Sequence, residues 1–431
     1  MAQDFDVVIS GGGLSGLLTA IGLLNQAPKL TIAIAEPVNK STPDSVQANF
    51  DGRCIALSYG SLQLLQHWQV WPALKPLAWP IRTIVTSDRG HAGKTIMKAQ
   101  DYDISAMGYV AEMRHMGTVF QSVLTSLEDK TDNRIQWFCP DAIEEITQEK
   151  DAVNIKLQSE TQLKAKLLVV AEGGHSPTRA KLGMDTESAE YPQAAVIANV
   201  KTRGAERKLN KLLNRANAVD DSNVSHHVAF ERFATTGPIA LLPIGEQEYS
   251  LVWTDTPENA ERHLALSETE FISQLQQDFG FAAGEFVAAS KPALYPLSLI
   301  KATRLVQGRA VLVGNSAHTV HPIAGQGFNL GLRDIAVLVQ QIAQAVKSRS
   351  DIGGFTNLNE YQGNRQQDID RITGFTDLLV RGFGLEGRLP AAARTLGLMS
   401  LQKCDGLQQW LALHFMSSSA VKNIPQLISK E

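Results

Sequence analysis

Short apolar runs alternate with polar or glycine-rich breaks along the first forty residues of the chain. The run VVI at 7–9 is too short for a helix, and it is followed by three glycines and a longer apolar segment at 14–24. A second apolar run, LTIAIA at 30–35, ends at Glu36. This order predicts a buried strand, a tight turn, a helix and a second strand, as in a parallel α/β unit.

Similar apolar runs precede two later glycine-rich segments. KLLVV at 166–170 leads into AEGG, and AVLV at 310–313 leads into a segment with four glycines and then a helical pattern. The alternating stretches AAVIANVK at 194–201 and HVAFERF at 227–233 are typical of half-buried strands. The residues from about 346 to 431 predict helices, including the apolar stretch LQQWLALHFM.

Composition excludes several classes of protein. The chain has 431 residues, 44% hydrophobic and 19% charged, which predicts an ordinary globular protein of two or three domains. The net charge of -4 gives no basic face for nucleic acid. Cys54, Cys139 and Cys404 lie far apart without CxxC spacing, which favours a reducing compartment and argues against a structural metal.

The apolar segment near the N-terminus is interpreted as a strand and a helix. Its glycines lie where a strand should turn into a helix, so a signal peptide and a membrane span are both rejected. No other uncharged run reaches a spanning length. We therefore expect a cytoplasmic, soluble protein, and contact with a membrane surface stays open.

The first glycine turn predicts a dinucleotide site. Gly11, Gly13 and Gly16 fit G-x-G-x-x-G, in which the first permits the turn, the second lets a pyrophosphate approach and the third lets helix and strand pack closely. Ser15 lies in the same turn, where the helix start offers free N–H groups. Glu36, 20 residues after Gly16, is placed to accept ribose hydroxyls, which favours FAD or NAD over NADP.

A second match to the same pattern lacks this context. GFGLEG at 382–387 follows a helical-looking segment, and Pro390 comes three residues after it. We interpret it as a turn between helices rather than a nucleotide site.

Two further motifs carry a family resemblance. The segment 171–179 resembles A-D-G-x-x-S-x-x-R, with Glu172 in place of the aspartate. The segment 314–334 resembles a second signature, with Asn315 in place of the acid after the first glycine. The residues that match this signature are Gly314, Ala317, His318, Pro322, Gly325, Gln326, Gly327, Asn329, Gly331 and Asp334.

With the N-terminal fingerprint these motifs stand in family order, and the chain resembles the class A FAD-dependent aromatic hydroxylases. Shorter segments, among them FDGRCIALS, FERF and YPLSL, resemble the ubiquinone-biosynthesis branch of that family. The resemblance implies an α/β fold like that of para-hydroxybenzoate hydroxylase. A Rossmann-like FAD-binding domain would carry an inserted mixed-sheet substrate domain and be followed by a C-terminal helical region. The implied bounds are 1–80, 110–183 and 290–345 for the FAD-binding domain, 81–109 and 184–289 for the substrate domain, and 346–431 for the helices.

The resemblance also implies which residues hold the cofactor. The glycines of 314–331 would let backbone approach the flat flavin ring, and the helix start would aim N–H groups at its pyrimidine edge. Asn315 would accept a ribityl hydroxyl through its amide oxygen. The implied cofactor-binding residues are Gly11, Gly13, Ser15, Gly16, Glu36, Arg53, Arg114, Gly314, Asn315, Pro322, Gly325, Gly327 and Asn329. The candidates beside the reacting ring are Pro322, Gly325, Gln326 and Gly327.

Several side chains leave alternatives open. Arg53 would reach the FAD pyrophosphate or the flavin edge, or lie on the surface. Arg179 would tie the two family motifs together or be solvated. His318 and His321 suggest packing or supporting hydrogen bonds more than a metal or acid–base site, since no carboxylate or thiol completes one.

The sequence also suggests roles for Asp334 and Trp253. Asp334 is expected to have a local role in the first turn of the helix. Trp253, in the strand YSLVW, belongs to a core or lines the substrate pocket.

The implied activity is that of an FAD-dependent monooxygenase. NAD(P)H reduces the flavin, O2 adds to give a C4a-hydroperoxide, and the ring of a polyprenylated methoxyphenol is hydroxylated in ubiquinone biosynthesis. A protein donor such as a ferredoxin is an alternative reductant. The hydrophobic substrate implies peripheral contact with the inner membrane or membership of a biosynthetic protein complex, and the oligomeric state stays open.

Three other functions remain. One is a related hydroxylase with another aromatic substrate or ring position, and another is a flavin enzyme that reduces prenyl double bonds. The third is a non-catalytic subunit of a biosynthetic complex, suggested by the departures at Glu172 and Asn315.

Overall fold

The structure is a computed structural model that describes residues 2–39, 53–91, 93–132, 134–204, 225–320, 325–384 and 397. Within these ranges the chain forms three β-sheets and nine α-helices. The helices are α1 Leu14–Gln26, α2 Tyr59–His67, α3 Trp71–Leu74, α4 Met113–Lys130, α5 Pro177–Lys181, α6 Pro257–Ala265, α7 Glu268–Phe279, α8 Gln326–Ser348 and α9 Phe355–Gly384.

The first sheet carries the predicted α/β unit. Its strands are β1 Gln3–Ser10, β2 Ile32–Ala35, β8 Ile135–Phe138, β9 Ile143–Gln148, β10 Val153–Leu157, β11 Gln162–Val170, β18 Val306–Gln307 and β19 Ala310–Leu312. The order is β18-β19-β11-β1-β2-β8, and β10 and β9 extend it from β11. β1 is parallel to both β2 and β11, and β11 is parallel to β19. The predicted strand, turn, helix and strand are therefore confirmed.

Apolar residues explain this arrangement. Val7, Val8 and Ile9 of β1 are fully buried, as central parallel strands are when helices cover them. Helix α1 buries most of its length, and α4 and α8 pack against it. Because the carboxyl ends of β1, β2, β11 and β19 meet at one edge, the glycine-rich segments that follow β1, β11 and β19 converge there with the end of β2.

The second sheet has nine strands. They are β5 Thr83–Asp88, β6 Lys94–Lys98, β12 Thr186–Arg203, β13 Val228–Ala234, β14 Gly237–Gly245, β15 Glu248–Asp255, β16 Glu285–Ala289, β17 Ala293–Ala302 and β20 His318–Thr319. The order is β20-β17-β12-β15-β14-β13-β5-β6, with β16 on β12. Only the β13–β5 pair in this sheet is parallel among the described strands, so the predicted mixed sheet is confirmed.

Side chains alternate between the two faces of the second sheet. Phe230, Leu251 and Trp253 point to a hydrophobic core that includes Phe271 and Phe279 of α7. The residues between them point to the opposite face, toward the first sheet's carboxyl edge.

A small third sheet joins the two larger ones. It consists of β3 Cys54–Ser58, β7 Gly108–Glu112 and β4 Ala78–Ile81, all antiparallel, in the order β3-β7-β4. β4 and β7 contact β14 of the second sheet, and β3 contacts α8. Residues 53–58 are thereby held between the first sheet with its helices and the second sheet.

The sheets divide the chain differently from the bounds drawn on the sequence. β17, at 293–302, pairs with β12 over two runs of residues, so it belongs to the second sheet and not to the first. The expected bound at 290 assigns β17 to the FAD-binding domain, whereas its pairing places it in the second sheet, because the local sequence of a strand carries no signal of which sheet it joins. β20 also pairs with β17, although it lies inside the glycine-rich motif.

Helices α8 and α9 pack together on the outside of the first sheet. Gly382 and Gly384 of the second glycine motif lie in α9, whereas a nucleotide turn would follow a strand. Residues 385–387 of that motif and the stretch LQQWLALHFM lie outside the described residues. None of the described helices combines the length and the apolar character needed to cross a membrane.

Candidate active site

The glycine turn after β1 is built by close contacts. Gly11 has φ +103°, and a Cβ there would lie 2.7 Å from the carbonyl oxygen of Ala171. A Cβ on Gly16 would lie 1.9 Å from the carbonyl oxygen of Gly11. At Gly13, in contrast, a Cβ would meet nothing within 4 Å. The first and third glycines therefore allow the chain to pack, and the middle one faces open space at the start of α1.

Glu36 closes this turn from the end of β2. Its Oε2 accepts a hydrogen bond from the backbone N–H of Gly12 at 2.6 Å, and its Oε1 accepts one from Val38 at 2.9 Å. The side chain is buried and lines the cavity described below. An ionised carboxylate has about four acceptor sites, so these two bonds leave capacity for a hydroxyl of a ligand.

Glu172 has a clear structural task in this chain. Its carboxylate accepts hydrogen bonds from the hydroxyls of Ser10, Ser176 and Thr178, and from the backbone N–H of Thr178 at 3.0 Å. The last of these contacts lies at the N-terminus of α5, where a negative charge is favourable. The glutamate in place of the family's aspartate thus joins β1 to the turn after β11.

Arg179 ties two of the motifs together, as one of the two sequence interpretations stated. Its side chain is 9% exposed. Nη1 donates to the carbonyl oxygen of Ser316 at 2.8 Å, and Nη2 donates to that of Gly174 at 2.8 Å. The turn after β11 and the turn after β19 are therefore held in one fixed arrangement.

Asp334 anchors the turn after β19 from inside α8. One carboxylate oxygen lies 3.0 Å from the backbone nitrogen of Gly314 and 2.7 Å from Nε2 of His318. The other accepts a hydrogen bond from Nε of Arg365 at 2.7 Å. The expected role in the first turn of the helix is wrong, because Asp334 is the ninth residue of α8 and bridges three separate segments.

The electrostatics of this cluster follow from complete burial. Burial by itself would raise the pKa of Asp334, but the interactions with His318 and Arg365 outweigh it and hold the pKa below its ordinary value. The pKa of Arg365 is raised, because Asp334 and Asp368 outweigh the effect of burial. The carboxylate is therefore ionised at neutral pH and compensated on both sides.

His318 lies in the strand β20 and is completely buried. Its bond to Asp334 confirms the supporting hydrogen bond expected of this histidine. His321 and Pro322 lie outside the described residues. No cluster of three metal-ligating side chains occurs among the residues that the structure describes.

The start of α8 is fixed by Gly325 and Asn329. Gly325 has φ +61°, a conformation that favours glycine. The Asn329 side chain accepts from the backbone N–H of Ser58 at 2.9 Å and donates to the carbonyl oxygens of Ala56 and Gly325 at 2.8 and 2.6 Å. Asn329 thus binds the helix start to β3, and a direct contact with a cofactor stays a prediction.

These elements surround one continuous cavity of about 880 Å³. Such a volume is in the upper part of the range of about 300–1,000 Å³ for ligand and cofactor sites. Nine of the residues predicted to bind the cofactor line it, which are Gly11, Gly13, Ser15, Glu36, Arg53, Asn315, Gly325, Gly327 and Asn329.

Four of the residues predicted for the site do not line the cavity. Gly16 and Gly314 are buried behind the lining and shape the turns. Gln326 is also buried away from the lining. Arg114 has a side chain that is 59% exposed, and its Nε lies 2.5 Å from Glu112. Arg114 does not line the cavity, so its contact with a cofactor stays a prediction.

Arg53 lies where the side of the cavity formed by the glycine-rich turns meets the second sheet. Its guanidinium carbon lies 4.8 Å from the ring centroid of Tyr295, a cation–π contact. Arg53 precedes β3 and Tyr295 lies in β17, and both line the cavity. The interpretation of Arg53 as a plain surface residue is therefore wrong.

The opposite wall comes from the second sheet and is largely apolar. Its alternating positions include Ile84, Ala195, Ile197, Ala229, Leu242 and Val252, together with polar residues such as Thr86, Glu231 and Ser250. Sequence reasoning did not single these residues out, although the alternation in HVAFERF already places Ala229 and Glu231 on one face. Trp253 points the other way and stacks on His263 with ring centroids 3.9 Å apart, so it belongs to the core.

Comparison with known proteins agrees with this geometry. A family profile described as "FAD binding domain" matches residues 4–376. The chain belongs to this FAD-binding family. Its members similar to this chain include ubiquinone-biosynthesis hydroxylases of class A, which confirms the resemblance stated on the motifs.

Two relatives and one solved structure illustrate the similarity. The ubiquinone hydroxylase UbiL of Rhodospirillum rubrum is 30% identical over 96% of this chain and 90% of its own length. The COQ6 monooxygenase of ubiquinone biosynthesis from Xenopus tropicalis is 29% identical, over 92% and 90%. The crystal structure of p-nitrophenol 4-monooxygenase PnpA from Pseudomonas putida has a TM-score of 0.74 at 18% identity, covering 98% and 99%.

The likeness to PnpA confirms the fold, an FAD-binding domain with an inserted mixed sheet and C-terminal helices. Membership of the family establishes that the protein is an FAD-dependent monooxygenase. An enzyme of this kind holds both FAD and a substrate.

Proposed function

We propose that this FAD-dependent monooxygenase hydroxylates the ring of a polyprenylated methoxyphenol in ubiquinone biosynthesis. The observation that carries the proposal is the single cavity, in which the three glycine-rich turns face an apolar sheet wall. The names of the relatives UbiL and COQ6, both from ubiquinone biosynthesis, support the pathway.

The residues present fit FAD. The open space at Gly13 accommodates a pyrophosphate at the start of α1, and the buried Glu36 beside it supplies acceptors for ribose hydroxyls. Asn315 is exposed to the cavity and can bond a ribityl hydroxyl, and Gly325 and Gly327 let the start of α8 approach a flat ring. Arg53 supplies positive charge between the two sides.

Bound FAD supplies the chemistry of oxygen activation, with O2 as co-substrate and NAD(P)H as the proposed reductant. The contribution of this chain is to position the ring and exclude water. The sheet wall does both, because its apolar side chains cover the substrate and leave few groups that would quench a reactive oxygen. The start of α8 directs backbone N–H groups toward the site, which favours negative charge there.

The substrate's prenyl tail suggests how it arrives. A long apolar tail partitions into lipid, so we propose that the protein meets its substrate at the surface of the inner membrane or receives it within a biosynthetic complex.

A hydroxylase acting on another ring position or another phenol is the second candidate. The same cavity favours it equally, because an apolar wall selects for aromatic character more than for a substitution pattern. The idea of a non-catalytic subunit loses its support at Glu172, whose carboxylate has a defined structural task.

The test is a reconstituted reaction. The purified protein is loaded with FAD, desalted and incubated with NADPH, air and 2-geranyl-6-methoxyphenol, and the product is identified by mass spectrometry. We expect retained flavin absorbance and a product one oxygen atom heavier, with the label incorporated from ¹⁸O2. NMR of the product then gives the ring position. A protein that keeps FAD, oxidises NADPH and yields only hydrogen peroxide would contradict the proposed substrate.

A further inference from the structure

We propose that the end of the cavity formed by Met97, Met107 and their apolar neighbours binds the prenyl chain of the substrate. The six residues of this methionine end all line the cavity, and they are Ile81, Ile84, Met97, Met107, Ala229 and Leu242. The inference rests on the proposed function and deepens it, because it assigns the chain of the substrate to named side chains. None of the three glycine-rich motifs contains any of these residues.

The strand register places the methionine end near one edge of the second sheet. Ile84 of β5 lies opposite Met97 of β6 on one side and opposite Ala229 of β13 on the other. Because residues directly opposite each other share a face of a sheet, these three side chains form a continuous apolar row along the wall. Leu242 of β14 packs in the same hydrophobic cluster as Ala229 and Ile84.

A second layer of the fold closes this end of the cavity. Met107 precedes β7, and its backbone N–H donates to the carbonyl oxygen of Ile81 in β4 at 2.8 Å. Met97 and Met107 belong to one hydrophobic cluster, against which Ile84 packs. Both methionines are buried. The methionine end is therefore built by strands of two different sheets, and its side chains are shielded from solvent although they line the cavity.

The sheet wall separates the methionine end from the glycine-rich segment after β19. Strand β20 of that segment pairs with β17, whereas β6 is separated from β17 by five strands of the sheet. Since neighbouring strands lie about 4.8 Å apart, β6 and β17 are roughly 25–30 Å apart across the sheet. The wall is thus long enough to hold a ring and a chain side by side.

The start of α8 is close enough to the methionine end for one substrate to reach both. Ser58 of β3 lies opposite Gly108, the residue after Met107. The backbone N–H of Ser58 donates to the side chain of Asn329 in the first turns of α8 at 2.9 Å. A phenol ring beside a flavin at this helix start would therefore have the methionine end within the length of one prenyl chain.

The chemistry of the methionine end suits a chain better than a ring. Methionine is unbranched and polarisable, so it adapts to an irregular apolar partner such as a flexible prenyl chain. The hydroxyl and methoxy oxygens of the ring would lose water here and gain no hydrogen bond from these six side chains, which is unfavourable. Each methylene group of a chain that is buried there instead strengthens binding about fourfold.

Two ligands that differ only in the chain test the inference without turnover. The FAD-loaded protein is titrated calorimetrically with 2-methoxyphenol and with 2-geranyl-6-methoxyphenol, which has the same ring and carries a chain. We expect the wild-type protein to bind the chain-bearing phenol about a hundredfold or more tightly. Ile84→Thr and Met97→Gln each place a polar group in the methionine end. Each should reduce this affinity ratio about fivefold or more, while the affinity for 2-methoxyphenol changes less than about twofold.

Ile96→Thr is the matched control. Ile96 and Ile84 are half-buried isoleucines of two paired strands, but Ile96 packs against the core on the other face of the sheet and does not line the cavity. The same substitution at Ile96 should therefore leave the affinity ratio at its wild-type value. Retained flavin absorbance reports that each variant is folded, and Ile84→Thr carries the test if Met97→Gln loses its flavin.

Two results would overturn the inference. One is a wild-type protein that binds the two phenols equally, and the other is an affinity ratio that stays at its wild-type value in the folded variants at Ile84 and Met97. The proposed function fails separately, if the ratio depends on Ile84 and Met97 but no ring hydroxylation of the chain-bearing phenol is observed.

Discussion

The carboxylate of Asp334 and the imidazole of His318 are 2.7 Å apart, and both side chains are completely buried. The same carboxylate binds Arg365 of α9 and the backbone of Gly314. A residue in the middle of a helix therefore fixes the turn that carries Asn315 toward the cavity. This part of the cavity wall therefore depends on a buried charge that does not itself line the cavity.

Replacement of the Asp334 carboxylate by a neutral group should strongly destabilise the protein. Removing one partner of a buried ion pair typically destabilises a protein by about 3–5 kcal/mol, because the remaining charge is left uncompensated. We expect Asp334→Asn to lower the free energy of unfolding of the apoprotein by this amount in urea titrations. Asp370→Asn, which removes a half-exposed carboxylate paired with Lys301, should change it by less than about 1 kcal/mol.

The same cluster predicts loss of stability in acid. The pKa of Asp334 lies below its ordinary 3.8, so its contribution is fully present above that pH and is lost as the pH falls through the lower folded-state value. The pKa of Asp368 is also lowered, because Arg333 and Arg365 outweigh its burial. Thermal melts from pH 6 downward should show a drop below pH 4 that is shallower in Asp334→Asn. Equal slopes in both proteins would show that the cluster is not responsible.

Replacing two glycines of the same turn with alanine should impair two different properties, stability in one case and FAD affinity in the other. In Gly16→Ala the new Cβ would lie 1.9 Å from a backbone oxygen, which should cost about 3 kcal/mol or more of apoprotein stability. In Gly13→Ala the Cβ meets nothing, so the apoprotein should melt normally while its affinity for FAD falls by roughly tenfold or more. Melting curves and flavin titrations separate the two effects, and Gly363→Ala serves as an open-space control in α9.

Arg179 does not line the cavity, but its loss should weaken FAD binding. Arg179→Met removes a buried hydrogen bond to the carbonyl oxygen of Ser316 and a partly buried one to that of Gly174, which should cost about 2–3 kcal/mol of stability. It should also weaken FAD binding, because the two turns are no longer fixed to each other. Arg304→Met, which removes an exposed bond to Gly183, is the control. Unchanged flavin affinity in Arg179→Met would refute the coupling between the turns.

Substitution of Asn315 by aspartate should strengthen FAD binding. Asn315→Asp replaces a neutral acceptor with a charged one at a position that lines the cavity, and hydrogen bonds to charged groups are stronger by about 1 kcal/mol. We expect FAD to bind roughly fivefold more tightly in fluorescence-quenching titrations at low salt. Asn364→Asp, on the exposed side of α9, adds the same charge elsewhere and should have no effect.

Local patterns predicted more of the cofactor side than of the substrate side. The turn at Gly11, Gly13 and Gly16 follows from strand, glycine and helix signals that lie next to each other in the chain. The contacts of Asp334 and Arg179 do not, because their partners are brought close only by the packing of distant segments. The membership of β17 in the second sheet depends likewise on pairing with β12, about a hundred residues earlier.

Glu231 shows what the alternation of residues in a sequence does not predict. Its alternation with Phe230 is visible in the sequence, but alternation shows only that the two face opposite sides. Which side is the core depends on α6 and α7, which cover one face of the sheet. Arg114, a position implied by resemblance, has a mostly exposed side chain and does not line the cavity, so its contact with a cofactor stays a prediction.

The two-sided second sheet has an evolutionary consequence. Alternate residues of strands such as β13 have different surroundings, since Ala229 and Glu231 line the cavity while the Phe230 side chain packs in the core. Substitutions at the positions that line the cavity can therefore accumulate with little loss of stability. A lineage can explore new ring substituents by point substitution along this wall while the nucleotide-holding turns stay as inherited.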